Sequence, residues 1–400
     1  MLDYGAILSQ RAQGLKPSGI RKFFDLLSEM QDVITLGVGE PDFATPWHIR
    51  SAGIYSLEKG STWYTSNAGM PELRAGIAAY LNRRFGLSYD DKSEILVTVG
   101  GSEAIDLAVR ALVEPGDEVI IPEPSFVCYN PLVTIAGGTP VTVQTLAENR
   151  FRLTPEQLRA ALTPRTKLLV LPYPNNPTGA VMRREDLEGI ARVLRGTNVM
   201  VLSDEIYAEL TYNGRHVSVA SVEGMRERTI LVSGFSKAYA MTGWRLGYVC
   251  APPEITAVMH KVHQFAVMCA PTVSQHAAIE AIRNGDEDIE RMAGEYDMRR
   301  RLVVDGLHRM GLPCFEPEGA FYVFPSIQAT GLSSEEFAER LLFEKKVAVV
   351  PGTAFGNCGE GFLRLSYCNS ISKLNEALGR IACFLREQNL LPEADAAAQA

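Results

Sequence analysis

Between about residue 90 and residue 250 the chain alternates short apolar runs with helical patterns, and this rhythm restricts the fold more than any single motif does. The runs Glu94–Val99, Glu118–Pro122, Val141–Gln144, Lys167–Pro172, Asn198–Ser203, Thr229–Ser233 and Leu246–Cys250 have the length and apolar, β-branched content of buried strands. Helical spacing fills Glu103–Val113, Pro155–Leu162 and Arg184–Leu194. Crossovers of that length are what parallel strands require. The predicted core is therefore α/β, a mainly parallel sheet of seven strands covered on both faces. Thr154 before Pro155 marks one helix start, a capping hydroxyl followed by a residue whose φ is already helical.

Beyond about residue 285 the rhythm changes. A long charged helical segment, Asp286–Met310, precedes the run Ala320–Phe324, another helix, then Val347–Val350 and Phe362–Ser366. This reads as a smaller α+β domain over residues 286–390, with residues 47–285 as the large domain. Residues 1–46, including the helical spacing of Ile20–Leu27, form an N-terminal segment assigned to the small domain. The Ala-rich stretch 391–400 has little to bury and reads as a frayed tail.

The formal charge of −8 over 400 residues lacks the basic footprint of a nucleic-acid binder. No apolar run is long enough to span a bilayer, and Met1–Lys16 shows no signal-peptide pattern. Seven cysteines without a CxxC pair suit free thiols in a reducing compartment, so the cytoplasm is expected. His260 and His263 stand at helical spacing without a third ligand; they read as a solvated helix face, and no metal site is expected.

Chemistry converges at the carboxyl ends of the predicted strands, where open parallel sheets bind ligands. Gly100-Gly101-Ser102-Glu103 opens a helix whose free amides suit a phosphate. Asn175-Asn176-Pro177-Thr178-Gly179 fixes an amide, and Asp204 and Tyr207 follow the next strand. Lys237 follows the run Thr229–Ser233, near Phe235, Tyr239 and Trp244, with Arg245 close behind. A lysine desolvated by such aromatic walls has a lowered pKa and a nucleophilic amine. This set suits pyridoxal 5′-phosphate. Lys237 would form the imine, and Asp204 would pair with the pyridinium nitrogen. Asn176 and Tyr207 would meet the ring hydroxyl, Phe126 would stack on the ring, and Arg245 with the amides of Gly101 and Ser102 would hold the phosphate. Two other motifs are set aside. Gly37-Val38-Gly39-Glu40-Pro41-Asp42 departs from a dinucleotide fingerprint at Pro41 and Asp42. Gly100–Ala104 departs from a hydrolase nucleophile elbow at Ala104.

Taken with Gly37–Phe43, Tyr64-Thr65, Pro174–Gly179, Ser203–Tyr207, Phe235-Ser236-Lys237 and Phe362–Ser366, the chain resembles the fold-type I aminotransferases of class I/II. It looks closest to the bacterial and archaeal branch holding aspartate and aromatic amino-acid aminotransferases. The resemblance implies that Arg364 grips the substrate α-carboxylate as a bidentate fork, beside the Gly39 backbone and Asn176. It adds Ser236 and Glu103 to the cofactor contacts. It also has Tyr64 reach the cofactor phosphate of a partner subunit, hence a homodimer. The implied reaction is a ping-pong transfer of an amino group from an L-amino acid to 2-oxoglutarate, with Lys237 moving the proton. The alternatives are a carbon–sulfur β-lyase using the same cofactor and a non-catalytic regulator, for whose appended DNA-binding domain residues 1–30 are too few. Phe126 and Gly234 replace a Trp and a Ser of some relatives. The donor stays open: Arg21, Lys22 or Arg110 would suit a second carboxylate, and Phe23, Phe24 and Phe126 an aromatic side chain.

Overall fold

The computed structural model describes residues 2–17, 19 and 30–390; the helical reading of Ile20–Leu27 and the tail 391–400 lie outside them. Strand β1 (Ile34–Thr35) stands apart from the main sheet. That sheet comprises β2 (Ile95–Thr98), β3 (Glu118–Glu123), β4 (Thr139–Gln144), β5 (Thr166–Leu171), β6 (Met200–Asp204), β7 (Thr229–Gly234) and β8 (Gly247–Cys250). Their order is β2-β8-β7-β6-β5-β3-β4. All pairs are parallel except those of β8, which runs antiparallel to both β2 and β7. The reversal has a local cause. No crossover helix separates β7 from β8, and a chain that returns without one must return antiparallel.

The apolar strands lack a polar face because both faces are buried. In β5, Leu168 and Val170 join a core beneath the helix Gly100–Leu112, with Ala104, Leu107 and Ala108. Leu169 and Leu171 point the other way, toward Leu187, Ile190 and Leu194 of the helix Arg184–Leu194. Thr154 caps its helix as expected, accepting from the Gln157 amide in a capping box.

A second layer is built by β9 (Tyr322–Val323), β10 (Val347–Ala348), β11 (Val350–Pro351) and β12 (Leu363–Ser366). Antiparallel β12 lies between β11 and β9, while β10 pairs in parallel with β1. The helices Asp286–Arg309, Ser334–Lys345 and Ile371–Glu387 cover it through Leu307, Phe337, Leu341 and Phe384.

One expectation fails. His263 does not face solvent: it is fully buried, with Nδ1 2.8 Å from the Glu103 carboxylate. The buried stripe of the helix Pro253–Ala266 runs through Thr256, Met259 and His263, so the histidine falls in line with the packed residues.

Candidate active site

The antiparallel return of β8 places the connection 235–246 at the carboxyl edge of the sheet. Its two stems pair at Gly234 and Gly247. A Cβ on Gly247 would stand 2.7 Å from the backbone of both Gly100 and Gly101, so this position requires glycine. Lys237 leaves this loop partly buried, and its Nζ donates to the Gly39 carbonyl at 2.6 Å. The rings flanking the amine are Tyr207 and Phe321, at 5.8 and 5.6 Å. The expected walls lie elsewhere. Phe235 and Tyr239 stack on each other inside the core, and Trp244 Nε1 donates to Thr45 Oγ1 at 3.0 Å. Desolvation lowers the Lys237 pKa to about 8, helped by the positive charges of Arg364 and Arg245.

Asp204 ends β6 one strand away. Its Oδ2 accepts from the Tyr129 hydroxyl at 2.7 Å and its Oδ1 from the Ile206 amide at 3.2 Å. Burial raises its pKa against these two bonds. Beside it, the Tyr207 hydroxyl shares a 2.8 Å bond with that of Tyr322.

At the end of β2 the chain turns through Gly100, at φ +75°, into the helix Gly100–Leu112. That left-handed backbone favours glycine, and a Cβ here would also displace the Arg245 guanidinium, 2.7 Å away. Arg245 is exposed, at φ +50°, and donates to the Thr242 carbonyl at 3.1 Å.

Arg364 lies on β12, the middle strand of its sheet, and is only 2 % exposed. Its guanidinium is sandwiched by Tyr322 and Phe355, at 4.6 and 4.8 Å from the ring centres. Nη1 donates to Asn176 Oδ1 at 3.0 Å and Nη2 to the Gly37 carbonyl. Its Nε has no hydrogen-bond partner among the described residues.

These groups surround one cavity of about 430 Å³, lined among others by Gly39, Gly101, Ser102, Phe126, Tyr129, Asn176, Asp204, Tyr207, Ser236, Lys237, Arg245, Tyr322 and Arg364. Glu103 and Arg110 do not line it; Tyr64, expected to serve the site of a partner subunit, lies outside it as well. Tyr64 is 76 % exposed on the surface. Glu103 turns back, its carboxylate accepting from the Val99 amide and lying against His263. Arg110 pairs along its own helix with Asp106 at 2.7 Å. Arg21, Lys22, Phe23 and Phe24 lie outside the described residues. Tyr129, Tyr322 and Phe321 went unnoticed in the sequence, since aromatic residues in apolar runs read as core.

The sequence profile of aminotransferase class I and II matches residues 31–381. The chain belongs to this family. It is 54 % identical over 380 residues to the putative aminotransferase YugH of Bacillus subtilis, covering 95 % of this chain and 98 % of that protein. It is 47 % identical over 386 residues to an aspartate aminotransferase of Pyrococcus abyssi, covering 96 % and 99 %. The solved aromatic aminotransferase of Pyrococcus horikoshii superposes with a TM-score of 0.88 at 46 % identity, covering 92 % of this chain and 100 % of that one. This fold-type I aminotransferase is thus a pyridoxal-phosphate-dependent enzyme, and its family membership fits the sheet topology and the lysine after β7.

Proposed function

We propose that the enzyme moves the α-amino group of an L-amino acid, aspartate or an aromatic one, to 2-oxoglutarate in two half-reactions sharing one site. The observation that carries this reading is Arg364. A guanidinium buried without a carboxylate partner among the described residues, one nitrogen unpaired, calls for an anion. It faces the cavity that holds a lysine amine poised near neutrality.

The residues fit pyridoxal 5′-phosphate. The Gly100–Ser102 turn and Arg245 would form a cradle for its phosphate, and Gly247 packs too closely behind that turn for a Cβ. Asp204, paired with no Arg, Lys or His among the described residues, would hold a protonated ring nitrogen, and Tyr129 keeps its carboxylate oriented. Phe126 would cover the ring; Ser236, Asn176 and Tyr207 stand around the same cavity to position it. When bound, the cofactor supplies an aldehyde for the amine and a ring that accepts the electron pair left by the α-proton. Arg364 orients the substrate by its α-carboxylate, beside Gly39 and Asn176. Lys237 Nζ would take the proton from the α-carbon of the donor and, in the second half-reaction, give one to the α-carbon of the new amino acid, a role suited to a pKa of about 8.

Residues 47–285 would form the large domain and residues 30–46 would move with 286–390 around β12. A homodimer is supported by the exposed aromatics Trp47, Tyr55, Trp63, Tyr64 and Phe265. Trp63 and Met268 are tied into one surface, their carbonyls accepting from Thr272 and Asn67. Tyr64 would act across that interface. Seven unpaired cysteines suit the cytoplasm. The test is a panel of amino donors with 2-oxoglutarate: transfer from aspartate or aromatic donors, abolished in Lys237→Ala, is expected. Turnover surviving in that variant refutes the assignment.

A further inference from the structure

Glu103 presents a physical difficulty. It follows Ser102 directly, and a carboxylate so close to a phosphate seat would repel a dianion. The structure turns it away. One oxygen accepts from the Val99 amide, across the Gly100 turn; the other lies 2.8 Å from His263 Nδ1. The Thr98 hydroxyl donates to the Gly100 carbonyl at 2.9 Å, fixing the same turn from its other side. His263 is fully buried in the helix packed on Gly100–Leu112, and its Nε2 has no partner among the described residues. The bond to Glu103 is thus the one side-chain hydrogen bond holding this buried imidazole among the described residues.

We propose that His263 is a positioning residue for the cofactor phosphate, acting through Glu103. Its Nδ1–H anchors the carboxylate against Val99. The anchor fixes the turn that aims the Gly101 and Ser102 amides into the cavity, and it keeps a negative charge out of the cradle. The inference rests on the cofactor assignment made above. Removing His263 frees the carboxylate to swing toward the phosphate, so the loss falls on the phosphate and not on the aldehyde.

The test compares two aldehydes on cofactor-stripped full-length protein, pyridoxal 5′-phosphate and phosphate-free pyridoxal, each titrated by the absorbance of its adduct with Lys237. In His263→Ala, affinity for the phosphorylated aldehyde is expected to fall about tenfold, as when an outer partner of a ligating group is lost. Affinity for pyridoxal is expected to stay within about twofold. His263→Asn, whose amide nitrogen replaces Nδ1, is expected to restore most of the loss. Equal losses for both aldehydes, no loss for either, or no recovery in the asparagine variant would overturn the role of His263 alone. Unaltered protein that captured neither aldehyde would overturn the cofactor assignment and this role together.

Discussion

The acidity of Lys237 can be tested by pH alone. Desolvation brings its pKa from 10.5 to about 8. At pH 8 about half of the amine is neutral, against roughly 0.3 % for an unperturbed lysine, a gain of about 150-fold in nucleophile. The gap of about 2.5 pH units corresponds to about 3 kcal/mol of preference for the neutral form. The sign for stability follows. The native amine binds its proton less tightly than the unfolded chain does, so this group penalises the native state fully below about pH 8. The penalty fades as pH rises from about 8 to 10.5, where the amine is neutral in both states. Cofactor-free protein mixed rapidly with pyridoxal 5′-phosphate at pH 6 to 10 should show a capture rate that climbs and levels near pH 8. A rate still climbing tenfold per pH unit beyond pH 9.5 would mean that the amine is not desolvated by Tyr207, Phe321 and the loop around it.

Three substitutions and one control extend the tests. Arg364→Lys keeps a charge but loses the fork held between Asn176 and Gly37; a loss of about 2–3 kcal/mol, or about 30–150-fold in kcat/KM, is expected. An unchanged kcat/KM for several donors would remove the arginine from substrate binding. Asp204→Ala should leave Lys237 able to capture the aldehyde while slowing single-turnover proton removal by about 10²–10³-fold, and an unaltered single-turnover rate would contradict its electronic role. Gly247→Ala, whose methyl would meet the Gly100 and Gly101 backbone at 2.7 Å, should lower stability by about 1–3 kcal/mol and weaken cofactor retention. Gly294→Ala, with open space around its Cβ, is the control; equal denaturation midpoints for the two would refute the close packing.

The sheet was legible because burial on both faces leaves a plain signature, as in β5, which is apolar without a break from Leu168 to Leu171. The same signature is blind to direction, so the reversal of β8 could not be read from Gly247–Cys250. Lys237 and Asp204 were legible because each follows an apolar run, at the edge where a parallel sheet binds ligands, whereas Arg364 was named only through the family resemblance. Tyr129 and Tyr322 carry no charge and pass for packing. The burial of His263 and the turn of the Glu103 side chain went unread for a related reason. Each residue is polar, each lies on a helix, and the way a side chain turns depends on a partner 160 positions away.

The reversal of β8 also bears on how the enzyme moves. Because Gly234 and Gly247 are neighbours across adjacent strands, the peptide from Lys237 to Arg245 is a closed bow with both feet on one plank. The stems hold the backbone of this loop to the main sheet, while the Lys237 amine reaches across to the Gly39 carbonyl. A shift of the layer that carries Arg364 should therefore reach the amine through Gly39 and Phe321, as well as the grip on the incoming acid.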